Sequence, residues 1–458
     1  MIIIQLISER TFLMNLDISG ATNKKNFLFR NAAPLSSKQN RLLNILCYSV
    51  VAITVASMLG IILYYVYAFA ATSLGSHKFD WLLSIFSDFV EIMNASLECS
   101  PYLTNGTSYP PLAVIVLYPF AWICRNVFSE YSEMTLTVDE LTARVVTHPE
   151  FWIAIVLFFA ISIASIWLIV IKKYHLEPVA ALKTGLLLIF SAPCVYAIMR
   201  GNTIYFALIF SLLFLLLYDH PKAWVREIAY FCLVIAGCIK IYPLFLGVFL
   251  LKKRKFFAVA RVAVYFFAVF FLSFLLFRSG LEGMDPFLAN LGGFMSDSER
   301  LLSLRNLSLT SLVFKVLYLI SPSLASGKIF AVISLALIFL FFVVAAITAT
   351  ITKSDFSRSV IASGIIILIP SVSYFYVLVF TFLPLLEFIH YADEFSERKK
   401  KRYTLLFLLM YSCCFLLAQC FVPQALIVIV MFVSEEIFVI RHEILPWIKS
   451  RKATSDVR

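Results

Sequence analysis

The sequence predicts an all-α polytopic membrane protein with about 12 transmembrane helices and two large external loops that carry short interfacial helices. Three observations lead there. Of 458 residues, 61% are hydrophobic and 14% charged, against about 45–50% and about 25% in soluble domains. Mean hydropathy is +0.92. Apolar runs of spanning length recur along most of the chain, divided by short polar or basic turns. Folded as soluble domains, a chain this long would need far more polar surface. The 45 Phe, with only 14 Gly and 16 Pro, suit lipid-facing helices rather than a β-barrel. The net charge of +11 is read as a record of membrane orientation, not of nucleic-acid binding.

The elements follow in order. Residues 1–42 form a basic tail with Arg10, Lys24, Lys25, Arg30, Lys38 and Arg41, expected on the cytoplasmic side. Its early apolar run, Met1–Ile7, is too short for a signal peptide. A first span is predicted over 43–71. Residues 72–109 break the apolar pattern with Asp80, Asp88, Glu91 and Glu98 among Phe79, Trp81, Phe86 and Phe89, which suggests interfacial helices in an external loop. Further apolar segments cover 110–128, 150–171, 181–199, 202–218, 228–251 and 256–278. A second external loop, 279–327, carries the stretch 309–320, too short to span. The remaining segments are 328–352, 359–370, 374–390, 403–419 and 421–440, so that 43–390 forms a membrane core and 391–458 a basic loop, two spans and a tail.

An even number of spans puts both termini on one side. The basic clusters Lys252–Lys255, Arg398–Arg402 and Lys449–Arg458 mark that side as cytoplasmic. Simple alternation then leaves Lys172, Lys173, Lys183, Lys222 and Arg226 facing outward. In the alternative, 110–128 is re-entrant and 228–251 a broken helix pair, which moves the Arg200–Asn202 turn to the other face. Both topologies stay open at this level.

Of the nine cysteines, only Cys99 falls in an aqueous loop; the others sit in apolar runs and read as small hydrophobes. No GxxxxGK[ST] occurs, which argues against an ATP-driven pump. The six His are scattered, with no HxxxH pair, and Asp80 and Asp88 are too far apart for an Asp-x-Asp pair, so neither metal nor cofactor is expected. Intramembrane charges are few. Lys240 is the clearest, with Lys315, Glu387 and His390 near segment ends, while acids gather in the first external loop and its partner. That favours chemistry at a membrane surface over ion coupling through the core.

The local strings have an order. Asp88-Phe89 is followed by Pro101-Tyr102, Tyr109-Pro110-Pro111-Leu112, Ser191-Ala192-Pro193, Arg200-Gly201-Asn202, Lys240-Ile241-Tyr242-Pro243, Asn306-Leu307-Ser308-Leu309 and Pro370-Ser371-Val372-Ser373-Tyr374. Over roughly 40–390 this set resembles the membrane-embedded glycosyltransferases of the C-type superfamily. The likeness is greatest to glycosyltransferase family 87, which uses polyprenol-phosphate mannose. Two departures are visible: Gly201-Asn202 stands where the family usually has Gly-Gln, and Tyr374 and Tyr376 where some members have a His.

The resemblance implies an inverting transfer of a hexose such as mannose from a polyprenyl-phosphate donor to a glycolipid or glycan acceptor on the non-cytoplasmic face. The family's loop acid corresponds to Asp88, with Asp80 as runner-up, as general base toward the acceptor hydroxyl. Candidate holders of the donor phosphate are Lys240, Arg200, Arg278, Arg300 and Arg305. Candidate substrate-binding residues are Tyr102, Tyr109, Asn202, Asn306, Ser308, Tyr374 and Tyr376. Tyr109-Pro110-Pro111 also suits a helix start, and Ser308 a helix cap. The expected location is a bacterial plasma membrane, or the endoplasmic reticulum in a eukaryote. There the sequons at Asn94, Asn105 and Asn306 would face the lumen. The other classes considered are a transporter or flippase of lipid-linked glycans and an O-antigen polymerase or ligase.

Overall fold

In a computed structural model of the chain, the described residues are 34–71, 85–132, 134, 136–252, 255–325, 328–412 and 422–446. Asp80, residues 1–33 of the N-terminal tail and the C-terminal basic cluster lie outside them. Among the described residues every regular element is helical, apart from one isolated antiparallel bridge between Asn306 and Tyr374.

Among the described residues, five helices are long and apolar enough to cross a membrane, over Ser37–Gly60, Pro149–Tyr174, Phe256–Phe274, Lys328–Ile351 and Val422–Ile444. Two bent pairs raise the number to as many as seven: Pro111–Ile123 with Arg125–Tyr131, bent by 93°, and Pro178–Ile189 with Ala192–Arg200, bent by 58°. The remaining apolar helices are shorter. We number the elements used below in chain order: α1 Ser37–Ala71, α2 Ser87–Leu97, α3 Pro111–Ile123, α4 Val138–Val145, α5 Pro149–Tyr174, α6 Ala192–Arg200, α7 Ile204–Leu217, α8 Ala223–Ile239, α9 Phe256–Phe274, α10 Leu309–Ile320, α11 Lys328–Ile351, α12 Asp355–Leu368 and α13 Phe382–His390.

Side-chain bonds sort the helix ends into two groups. At one end Lys173 pairs with Glu387 (3.5 Å), Lys252 with Asp355 (2.7 Å) and Lys255 with Asp219 (3.2 Å), and Thr352 donates to Glu443 (3.1 Å). Lys183 reaches Asn40 near the start of α1 at 3.4 Å. At the other end Phe86 and Phe89 pack on Phe151 at the start of α5, Arg200 meets Asp88, and Lys240 lies over Tyr109.

This grouping alters the expectation for 110–128. Tyr109 and Phe151 both belong to the Asp88 end, so the chain between them leaves and returns to the same side. Thirteen residues of α3 rise only about 20 Å, short of a roughly 30 Å hydrocarbon core. Helix α3 packs beside α2, to which Ser96 ties it by donating to the Val114 carbonyl (2.6 Å). The segment 228–251 is broken as well. The helix α8 stops at Ile239, Lys240 is extended (φ −143°, ψ 124°), and a 3-10 turn, Tyr242–Gly247, leads into a short helix ending at Lys252. A break in 228–251 is one of the two features of the alternative topology, and the Arg200–Asn202 turn lies against Asp88.

Of the described cysteines, Cys47, Cys124, Cys194, Cys232 and Cys238 are buried and unbridged, as small hydrophobes are, and Cys99 is exposed; Cys413, Cys414 and Cys420 lie outside the described residues.

Candidate active site

Local sequence explains how the site forms. Helix α6 ends at Gly201, whose φ of 62° lies in the left-handed region that glycine adopts without penalty. A Cβ at Gly201 would stand 2.5 Å from Cβ of Phe89, next to Asp88 on α2. The absent side chain is therefore what lets α2 sit against the end of α6. We expect Gly201→Ala to combine a conformational penalty of about 1 kcal/mol with displacement of α2. The checks are a lower melting temperature in detergent and a loss of activity larger than the melting shift explains. An intact melting curve with full activity would refute this reading of the turn.

Phe86, just before α2, is left-handed at φ 66° without being glycine. Its N–H donates to the Met199 carbonyl at 2.7 Å, and its ring packs on Phe151 and Trp152. Strain of this kind persists only where surrounding contacts over-determine it, and here it sets the direction in which α2 delivers Asp88.

Asp88 is 4% exposed. One carboxylate oxygen accepts from the Arg200 guanidinium and the other from Nδ2 of Asn202 at 2.6 Å. Asn202 is fully buried, and its Oδ1 accepts from the Ile204 N–H (3.0 Å), which locks the amide so that it donates toward Asp88. An Asn at this position fits because its short side chain bridges the first turn of α7 and the carboxylate at once.

Across from this pair stands Lys240, at the break after α8. Its ammonium lies over the ring of Tyr109 at 4.5 Å and that of Tyr376 at 5.8 Å, and it is within electrostatic reach of Asp88 and Glu91. Among the described residues its Nζ makes no ion pair. Tyr376 stacks on Tyr196 (6.4 Å, 18°) and meets Tyr374 edge-on (6.1 Å). The result is an aromatic wall with a cation on it and a carboxylate opposite. Aromatic faces suit both cations and the C–H faces of sugars.

The other predicted residues divide. Arg300 acts electrostatically on Glu91 and Arg305 on Tyr196, so both belong to the surroundings of the site. Arg300 also pairs with Asp297 at 3.0 Å and covers Phe294. The backbone N–H of Arg278 donates to the Cys99 carbonyl (2.9 Å). Tyr102 is 2% exposed in an aromatic cluster with Phe274, Phe277 and Phe287, and its hydroxyl donates to the Tyr109 carbonyl. It holds the loop in shape.

Asn306 and Ser308 are fully buried and spent on structure. Asn306 donates to the carbonyls of Ser371 (3.1 Å) and Arg300 (3.3 Å) and accepts from the N–H groups of Ser373 (3.0 Å) and Ser308 (3.1 Å). Ser308 donates to Ser371 and caps α10 by accepting from Ser311. With its amide so engaged, Asn306 is not an acceptor for N-glycosylation. Asn306→Ala orphans several buried backbone groups, each worth about 1–3 kcal/mol. We expect a loss of roughly 2–4 kcal/mol, read as a strongly lowered melting temperature, whereas a purely substrate-binding Asn306 would leave melting unchanged.

One residue of this site had passed in the sequence as an ordinary loop acid. Glu91 lies one turn after Asp88 on the same face of α2, half-buried. The spacing of three was the available signal. Burial and the neighbouring Asp88 push its carboxyl up to about 7, against the opposing pull of Arg200, Lys240 and Arg300.

No group of three or more potential metal ligands occurs among the described residues. Neither curated proteins nor solved structures give a match. The profile of glycosyltransferase family 87 matches residues 107–381, more than half of the chain, and takes in Tyr109, Arg200, Asn202, Lys240 and Tyr376. It begins after Asp88 and Glu91. A buried acid facing a cation on an aromatic wall, inside an apolar helical chain, fits the chemistry of such enzymes, and the chain belongs to glycosyltransferase family 87.

Proposed function

We propose that the protein transfers a hexose, such as mannose, from a polyprenyl-phosphate donor to a glycolipid or glycan acceptor, with inversion at the anomeric carbon. The observation that carries this reading is the opposition of Asp88 and Lys240 within a family of glycosyltransferases. Asp88 takes the proton of the acceptor hydroxyl as that oxygen attacks the anomeric carbon. The bond from that carbon to the donor phosphate breaks, and the leaving lipid phosphate gains a negative charge. Lys240, helped by Arg305 and Arg300, meets that charge in a site with restricted water. A single in-line displacement needs no second carboxylate as nucleophile. Tyr109, Tyr196, Tyr374 and Tyr376 offer the hydroxyls and ring faces for the sugar.

The reading extends to topology. The basic residues Lys172, Lys173, Lys183, Lys252 and Lys255 fall at the end opposite Asp88, so the positive-inside rule puts the site on the non-cytoplasmic side. Twelve passes result when 178–200, 242–252 and 375–390 each count as one and α3 as none. An apolar carrier embedded in the bilayer would then present its phosphate to Lys240 at the outer interface, in the plasma membrane of a bacterium.

The test is direct. Purified protein in lipid nanodiscs receives radiolabelled polyprenyl-phosphate mannose and a glycolipid acceptor extract. We expect labelled product with inverted anomeric configuration by NMR, and none from a nucleotide-diphosphate sugar. Transfer from the nucleotide sugar alone would overturn the donor assignment.

A further inference from the structure

Asp88 is held by two donors. Both of its carboxylate oxygens already accept hydrogen bonds, from Arg200 and Asn202. Each oxygen keeps a lone pair for a proton, but protonation takes the counter-charge from an arginine whose side chain is only 24% exposed. Glu91 stands one helical turn away and, among the described residues, accepts no hydrogen bond from another side chain.

We infer that Glu91 is the proton sink of the transfer: the proton that Asp88 takes from the acceptor hydroxyl passes on to Glu91, directly or through one water, before the next cycle. This rests on the reading of Asp88 as base. The acceptor O–H bond breaks as an Asp88 O–H bond forms. The new glycosidic bond forms as the bond to phosphate breaks, with the electron pair leaving on the phosphate. The Asp88 O–H bond then breaks, a Glu91 O–H bond forms, and the Asp88–Arg200 pair is restored. Glu91 later releases the proton to water at the outer face.

The groups facing Glu91 are Asp88 from its own helix, Arg200 from the end of α6, Lys240 from the break after α8, Arg300 from the second loop and Tyr109 from the turn before α3. Helix α4, which also packs on α2, brings Asp139, Glu140 and Arg144. Of these, Glu140 is spent in a capping box with Thr137, and Arg144 lies over Tyr131. A carboxyl that titrates at about 7 among these groups takes a proton readily near neutral pH and gives it up again.

The experiment is the pH profile of kcat/KM for wild type, Glu91→Gln, Glu91→Asp and Asp88→Asn in nanodiscs, with melting curves for each. Wild type should lose activity as the pH falls through about 7, because a protonated Glu91 cannot receive. Glu91→Gln should melt normally, lose about 10–100-fold in kcat near neutral pH, and no longer show that acid limb. Glu91→Asp should keep an acid limb at lower pH. An unchanged acid limb in Glu91→Gln, at whatever rate, overturns the inference and leaves Asp88 as base untouched. Full activity in Asp88→Asn overturns the reading on which the inference stands.

Discussion

Replacing Asp88 by Asn should lower transfer by about 10²–10⁴-fold, the span for removal of a positioned general base. The loss should fall on kcat, with the donor KM little changed, because the proton moves only as the acceptor attacks. Asn keeps the shape of Asp88 and still offers one oxygen to Arg200 or Asn202, but it cannot satisfy both donors as a carboxylate does. Breaking a fully buried ion pair costs about 3–5 kcal/mol. Here the partly exposed Arg200 regains water, so a smaller loss of about 1–3 kcal/mol is expected. Steady-state kinetics beside a melting curve separates the two effects. Near-normal kcat in folded Asp88→Asn would move the base elsewhere, and Glu91 is the residue in place to take it.

Lys240→Met should be the second large effect. Met keeps the length and the contact with Tyr109 and Tyr376 and removes only the charge. Removing one donor aimed at developing charge costs about 10²–10³-fold in kcat, and in the proposed reaction Lys240 faces the leaving phosphate as it turns more negative. The folded protein should survive, since a bare ammonium on an aromatic wall is costly to keep at this depth and its loss relieves that cost. Single-turnover rates with labelled donor are the measurement. An unchanged rate would hand the phosphate to Arg305 and Arg300.

The reach of the sequence can be judged from particular residues. Asp88, Arg200, Asn202, Lys240, Tyr109 and Tyr376 were all visible as short strings in a fixed order, and the chain does gather them. Order along the chain carries this information because each string sits at a helix end, and helix ends on one side share a surface. Glu91 was not singled out, because an acid in a polar loop looks solvated until its helix is seen pressed against α6 and Lys240. Asn306 and Tyr102 are bonded to backbone carbonyls, an engagement their letters did not show. A polar side chain near a site has the same letter whether it binds a sugar or a carbonyl, and only burial distinguishes them. Hydropathy could not give the path of α3 for a related reason, since it reports dryness and not direction.

The bonds around Asn306 have a consequence for motion. Asn306, Leu307 and Ser308 are tied to Ser371 and Ser373 by side-chain and backbone hydrogen bonds across more than 60 residues of sequence. The neighbouring Tyr374 is paired to Asn306 as well. An outward swing of the second loop at this point would therefore drag Tyr374 and Tyr376 with it and lift the aromatic wall from Lys240. Opening the loop and taking apart this part of the wall are thus one movement here, while Tyr109, the ring nearest Lys240, stays where it is.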